Sequence, residues 1–169
     1  MKGGVRSKHI NINDSERKKL IEEDIEVIKA CRIYMRGVCG DSLDNLSGNK
    51  FLIRTENCVS VLNECIETNR KFDYVINDLS EYLVDTEISY AIDDYTSAKI
   101  LDCSMNLLDY GGKYLCRGDI AGNVDALNTV IHDITSRDLV YNKYTVHVPS
   151  FKEQYCLFEV WKPGENGTV

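Results

Sequence analysis

Apolar residues follow two different spacings between residues 20 and 162. Where they recur every three or four positions they predict amphipathic helices, and where they run together over four to nine positions they predict strands. The helical spacing occurs over residues 20–35, 59–66, 96–110 and 124–134. Strands are predicted over residues 50–54, 72–77, 113–117, 141–148 and 154–161. Glycines at the end of the first and third helical patterns, Gly37, Gly40, Gly111 and Gly112, predict where those helices stop.

The order of these elements predicts an α/β domain. Strands and helices alternate, and alternation is typical of a mostly parallel sheet with right-handed crossovers. The strand over residues 72–77 is an apolar run with Tyr74, Val75 and Ile76 at its centre, which predicts burial on both faces. Residues 149–153 join the last two strands, and so short a connection predicts an antiparallel hairpin at the end of the sheet.

The chain divides into one domain with a tail on either side. Residues 1–13 show no periodicity and are predicted to be a disordered tail. Residues 14–162 contain all the predicted elements and form the domain, and residues 163–169 are predicted to be a flexible tail. Within the domain, the acidic and irregular segment over residues 81–94 is predicted to be a loop over a site, because long irregular loops in compact domains are often lids.

Composition and charge exclude several classes of function. The chain has 27 acidic and 20 basic side chains, a net charge of −7, which disfavours binding to nucleic acid and suits a cationic ligand better. No apolar run approaches the roughly 20 residues of a membrane span. No apolar run follows the N-terminal residues MKGGVR, so we expect no signal peptide and a cytoplasmic protein.

The residues that commonly bind metals show no suitable arrangement. The seven cysteines are odd in number and form no CxxC pair, so we expect free thiols, mostly buried, in a reducing compartment. His9, His132 and His147 are isolated from one another in the sequence. The sequence therefore predicts no metal site.

Polar residues directly follow the predicted parallel strands. Asp78 follows residues 72–77, Asn57 follows the strand that ends near residue 54, and Asp119 follows residues 113–117. Ligands of open α/β sheets bind beyond the carboxyl ends of the strands, so these side chains are candidates for one crevice. An aspartate after a strand is about as often a turn or helix cap as a functional residue. Position alone therefore leaves both interpretations of Asp78 open.

Several stretches together resemble a known family. The segment KFDYVINDL (71–79) is similar to the catalytic-aspartate segment of the spermine synthases, in the spermidine/spermine synthase family of aminopropyltransferases. Further similar stretches are CRIYMR (31–36), CGDSLDNL (39–46), ILDCSM (100–105), GKY (112–114), VPSF (148–151) and VWK (160–162). The resemblance runs in one register from about residue 22 to residue 162, which makes it far more specific than any single motif.

The resemblance implies a partial Rossmann-like sheet of the class I methyltransferase type and the C-terminal catalytic domain of an aminopropyltransferase. Such enzymes move an aminopropyl group from decarboxylated S-adenosylmethionine, a co-substrate and not a permanent cofactor, to spermidine. The products are spermine and methylthioadenosine. Asp78 matches the family's proton acceptor, which the chemistry needs because an ammonium has no lone pair with which to attack.

The resemblance also assigns roles to five other residues. Glu22 matches the acid that holds the ribose hydroxyls of the co-substrate, and Asn57 and Cys58 match the pair beside its adenine. Glu153 matches the carboxylate that holds the far amine of spermidine, and Phe151 matches its aromatic neighbour. By pattern alone, Glu22 is typical of a solvated face and Glu153 of an exposed turn.

The sequence departs from the family in five respects. It contains no counterpart of the family's glycine-rich loop, N-terminal dimerisation domain or central β domain. A homodimer stays open as a hypothesis, although the domain through which the family dimerises has no counterpart here. Asn57 replaces a usual aspartate and Phe151 a usual tyrosine. Three hypotheses therefore stay open: an aminopropyltransferase, a non-catalytic domain that binds polyamines or pairs with a full-length relative, and a methyltransferase-like protein.

Overall fold

The computed structural model describes residues 18–79, 94–150 and 152–164. The predicted tail over residues 1–13, Phe151 and most of the C-terminal tail lie outside the described residues. So does the predicted loop over residues 81–94, except that Asp94 begins a helix. The described residues form two compact units, which divide between residues 61 and 62.

The first unit is built on a pair of parallel strands. Its elements are β1 (Lys18–Ile21), α1 (Ile25–Tyr34), α2 (Arg36–Cys39) and β2 (Phe51–Arg54), and α3 (Cys58–Glu67) begins in this unit and continues into the second. The strands β1 and β2 pair in parallel from Lys18 opposite Phe51 to Ile21 opposite Arg54. The parallel pairing agrees with the alternation of strand and helix in the sequence.

The predicted helix over residues 20–35 is wrong in its first turn. Leu20 and Ile21 lie in β1, and α1 begins only at Ile25. The carboxylate of Asp24 accepts a hydrogen bond from the backbone N–H of Glu26 at 2.8 Å and so caps the helix. The apolar residues keep a helical spacing through β1 without a break. The pairing of β1 with β2 nevertheless makes these residues a strand, and the Asp24 cap makes the helix begin after them.

The second unit contains a four-stranded sheet. Besides the rest of α3 it holds β3 (Phe72–Asn77), α4 (Asp94–Leu107), β4 (Leu108–Ile120), α5 (Val124–Thr135), β5 (Val140–Val148) and β6 (Glu153–Trp161). The strand order is β3-β4-β6-β5. The β3–β4 pairing is parallel, whereas β6 is antiparallel to both β4 and β5. The predicted terminal hairpin and the α/β class are confirmed.

The predicted boundary between the third helix and the next strand is wrong. The helix α4 ends at Leu107 instead of continuing to residue 110, and Gly111 and Gly112 lie inside β4. The β3–β4 register shifts here, and Gly111 has a φ of +74°, which a side chain rarely permits. A Cβ on Gly112 would lie 3.0 to 3.1 Å from three backbone oxygens. The two glycines therefore form an irregularity in the strand and do not end the helix.

Helices α4 and α5 contribute to one hydrophobic core with the sheet of the second unit. The core residues are Leu101, Met105, Leu108, Tyr114, Leu127, Ile134, Cys156, Phe158 and Val160. On β3, Val75 packs against this core, whereas Tyr74 and Ile76 are 63% and 71% exposed. The prediction that β3 is buried on both faces is therefore wrong. Among the described residues β3 has a single neighbouring strand, and only one of its faces meets the core.

The seven cysteines form no disulfide, as the sequence predicts, but the prediction that most of them are buried is wrong. Cys65, Cys103 and Cys156 are buried, and the other four are partly exposed. Within residues 18–79, 94–150 and 152–164, no three acidic, histidine or cysteine side chains are placed to share a metal ion. None of the described helices is long and apolar enough to cross a membrane.

Replacement of Gly118 by alanine is expected to destabilise the second unit by about 1–3 kcal/mol, the usual cost of overpacking a core. A Cβ at Gly118 would lie 2.6 Å from Cε2 of Phe158 and 3.1 Å from Cδ2 of Leu127, and both side chains are part of the core. Urea denaturation measures the effect. Gly122→Ala is the matched control, because a Cβ at Gly122 meets no atom within 4 Å. Equal midpoints for the two variants would contradict this packing.

Candidate functional site

In the first unit, the carboxyl ends of the two parallel strands carry the residues predicted to hold the co-substrate. Glu22 directly follows β1, and its backbone N–H donates to the carbonyl oxygen of Arg54 at 3.0 Å. Asn57 and Cys58 follow β2, where Cys58 is the first residue of α3. The structure therefore places all three residues at the same edge of the two-stranded sheet.

Hydrogen bonds fix the side chains at this edge. Oε1 of Glu22 accepts from the backbone N–H of Asp24 at 3.1 Å, ahead of α1. Nδ2 of Asn57 donates to Oε1 of Glu23 at 3.2 Å, and Oδ1 of Asn57 accepts from the N–H of Ser60 at 3.3 Å. Asn57 therefore links the residues after β1 to the first turn of α3. This bond between Asn57 and Glu23 is not apparent from the sequence.

In the second unit, Asp78 comes directly after β3, as the sequence predicts. Its side chain is exposed and makes no hydrogen bond or ion pair with any residue that the structure describes. No described residue therefore competes with a ligand for this carboxylate. The capping role that position alone left open has no hydrogen bond to support it there.

Asp119 differs from Asp78, although the sequence predicts that both follow parallel strands. Its Oδ1 accepts from the backbone N–H of Ile120 at 2.6 Å, and its Oδ2 accepts from Nδ2 of Asn123 at 2.8 Å. Asn123 is the N-cap of α5. The strand β4 also continues through Asp119 to Ile120, so the prediction that Asp119 follows the strand is wrong. Asp119 supports the start of α5, and its carboxylate oxygens are already bound.

Glu153 lies at the same edge of the four-stranded sheet as Asp78. It is the first residue of β6, opposite Val148 of β5, and its side chain is exposed. Because β4 runs parallel to β3 and antiparallel to β6, the end of β3 and the start of β6 share one edge. The two strands are two spacings apart in the sheet, about 10 Å. Phe151, the predicted neighbour of Glu153, lies outside the described residues.

The side chain of Asn77 is a feature of this site that sequence reasoning missed. Its Nδ2 donates to Oη of Tyr114 at 2.8 Å, and its Oδ1 accepts from the backbone N–H of Leu79 at 3.1 Å. Tyr114 is only 3% exposed. The apolar context of residues 72–77 conceals this role. The pairing of β3 with β4, which puts Val75 opposite Tyr114, is the feature that would have revealed the contact between Asn77 and Tyr114.

Burial suppresses ionisation of the two groups nearest Asn77. Burial raises the pKa of the Tyr114 hydroxyl well above its usual range, and it raises the pKa of the Cys116 thiol, opposite Asn77, to about 12. Both groups are therefore neutral near pH 7. A thiol with so high a pKa is a poor nucleophile, so Cys116 does not supply covalent chemistry to this edge.

Solved structures with the same fold include one aminopropyltransferase and several methyltransferases. Spermidine synthase from Thermotoga maritima has a TM-score of 0.59 at 15% identity, over 85% of this chain and 44% of that one. An O-methyltransferase from Bacillus cereus, in complex with SAH, has a TM-score of 0.57 at 14% identity over 86% of this chain and 63% of that one. At these identities the likeness establishes the class I methyltransferase-type fold. The chain spans 44% and 63% of the length of these two proteins.

The match to a family is more specific than the likeness of fold. The spermine/spermidine synthase domain matches residues 3–168, almost the whole of the 169-residue chain. This match includes both strand edges described above and all the residues predicted to form the site. The chain therefore belongs to the spermine/spermidine synthase domain family.

Proposed function

We propose that this domain transfers an aminopropyl group from decarboxylated S-adenosylmethionine to spermidine, giving spermine and methylthioadenosine. The observation that carries the proposal is the exposed carboxylate of Asp78, without a partner among the described residues, at the carboxyl end of a parallel strand. The carboxylate lies in a spermine/spermidine synthase domain, and aminopropyl transfer to an amine needs a proton acceptor.

The proposed reaction is a single displacement. The amine nitrogen of spermidine attacks the aminopropyl methylene carbon that is bonded to the sulfonium sulfur, and this carbon–sulfur bond breaks as the carbon–nitrogen bond forms. The sulfur keeps the bonding electron pair and leaves as methylthioadenosine. The proton of the attacking amine passes to the carboxylate of Asp78 and from there to water.

The acidic edge of the second unit suits a polyamine. Asp78 and Glu153 lie at the same edge, on strands two spacings apart. We propose that Glu153 holds the far amine of spermidine while Asp78 meets the reacting one. The net charge of −7 adds a general attraction for a polycation.

The edge of the first unit suits a nucleoside. We propose that Glu22 binds the ribose hydroxyls of the co-substrate, because one of its oxygens accepts from Asp24 and the other can accept from a hydroxyl. Asn57 and Cys58 are proposed to contact the adenine. The Asn57 amide uses one of its two N–H groups on Glu23, so the second can donate to the adenine.

Glu153→Gln is expected to raise KM for spermidine several-fold and to change kcat little, because the substitution removes a charge that holds the far end of the substrate. Steady-state rates over a range of spermidine concentrations measure both constants. Glu64→Gln, an exposed change on α3, is the control and should leave KM unaltered. A fall in kcat at constant KM would contradict the role proposed for Glu153.

Product analysis distinguishes the three hypotheses. The chain is incubated with spermidine and either decarboxylated S-adenosylmethionine or S-adenosylmethionine, and calorimetry measures its binding of spermidine and methylthioadenosine. Spermine and methylthioadenosine from the decarboxylated compound alone support the proposal. S-adenosylhomocysteine from S-adenosylmethionine indicates a methyltransferase. Binding of spermidine without turnover indicates a non-catalytic domain, and either of these results contradicts the proposal.

A further inference from the structure

None of the described strands pairs with the backbone at Asp78. The last register pair of β3 and β4 joins Asn77 to Cys116, and Asp78 is the next residue along the chain. An exposed side chain on an unpaired backbone samples many directions, and each lost degree of freedom costs conformational entropy. Proton transfer needs the carboxylate in one place, so another contact must restrict the segment.

Asn77 supplies that contact on both sides of Asp78. Its Oδ1 accepts from the N–H of Leu79 at 3.1 Å, which closes a turn around Asp78. Its Nδ2 donates to Oη of Tyr114 at 2.8 Å, and the Tyr114 ring lies in the core of the second unit. One side-chain amide therefore connects the turn that carries Asp78 to a buried and rigid group.

We propose that Asn77 is a positioning residue, which fixes the direction of the Asp78 carboxylate by tying the Asp78–Leu79 backbone to the hydroxyl of buried Tyr114. The inference deepens the proposed function and rests on it for its catalytic consequence. Asparagine suits the role because its amide donates and accepts at once, whereas leucine at this position would supply neither hydrogen bond.

The first test measures the turn itself and needs no activity. Amide hydrogen exchange at Leu79 is followed by NMR in the whole chain and in Asn77→Ala, which removes both hydrogen bonds. Exchange at Leu79 is expected to become at least about tenfold faster, while amides in the middle of β4 keep their protection. Unchanged exchange at Leu79 would overturn the proposal.

The second test measures the consequence for catalysis. Asn77→Ala is expected to lower kcat about tenfold with KM for spermidine within about twofold, because small misplacements of a reacting group are costly. In the Asp78→Asn background the same change should have no further effect, since Asn77 acts through Asp78. An equal loss of kcat in both backgrounds would overturn the positioning role.

A matched pair elsewhere in the sheet provides the control. Nδ2 of Asn142 donates to Oη of Tyr144 at 3.3 Å, on β5. Asn142→Ala also removes an asparagine–tyrosine hydrogen bond, but it should leave both Leu79 exchange and kcat unchanged. Faster Leu79 exchange in Asn77→Ala, with a parent chain that makes no spermine, would contradict the proposed function and leave the anchoring of the turn established.

Discussion

Asp78→Asn is expected to lower the rate of spermine formation by at least about 100-fold, because general-base catalysis contributes about 10²–10⁴-fold to enzyme rates. The substitution keeps the shape of the side chain and removes its ability to accept a proton. Asp78 makes no hydrogen bond with a described residue, so the fold should not depend on its charge. Steady-state rates at saturating spermidine measure the loss, and circular dichroism should show the same spectrum as the parent chain.

Asp138→Asn is the control for this prediction. Asp138 is exposed in the turn before β5, with a φ of +54° that asparagine also adopts readily. The substitution makes the same chemical change away from the proposed site, and the rate should stay within about twofold of the parent. If Asp78→Asn kept more than about a tenth of the parent rate, Asp78 would not be the general base.

Phe158→Ala has the largest expected effect on stability, a loss of about 3–5 kcal/mol. Phe158 is 1% exposed, lies on β6 in the core, and its ring contacts Tyr141 with 5.8 Å between the ring centroids. Its removal leaves a cavity that the strands on either side, β4 and β5, cannot close. Many domains have a total stability of only about 5–15 kcal/mol, so this variant should unfold at much lower urea concentrations.

The control for this prediction lies on the opposite face of the same sheet. Ile76 is 71% exposed on β3, and Ile76→Ala should change the free energy of unfolding by no more than about 0.5 kcal/mol. Urea denaturation followed by fluorescence of Trp161 compares the two variants. Similar midpoints for Phe158→Ala and Ile76→Ala would show that the core is not centred on Phe158.

The sequence predicted the elements that have a clear period and distinct ends. The terminal hairpin followed from two apolar strands with a short connection, and α5 followed from a helical spacing that begins one residue after Asn123. The position of Asp78 followed from the order of strands, because the carboxyl end of a parallel strand is a recurring place for ligand-binding residues.

The remaining features depend on tertiary contacts that no local pattern contains. Leu20 and Ile21 continue the spacing of α1, and only their pairing with β2 makes them a strand. Ile76 belongs to an apolar run yet is exposed, because it lies on the face of β3 opposite to Val75 and the core. The difference between Asp78 and Asp119 depends on Asn123, and the role of Asn77 depends on Tyr114, 37 residues away.

The most direct test of the central claim is the fate of a labelled aminopropyl group. The chain is incubated with spermidine and decarboxylated S-adenosylmethionine that carries ¹³C in its aminopropyl carbons, and products are identified by mass spectrometry. Aminopropyl transfer predicts labelled spermine and unlabelled methylthioadenosine in equal amounts, with both products lost in Asp78→Asn. Methylthioadenosine without labelled spermine, or equal yields of spermine from the parent chain and Asp78→Asn, would contradict it.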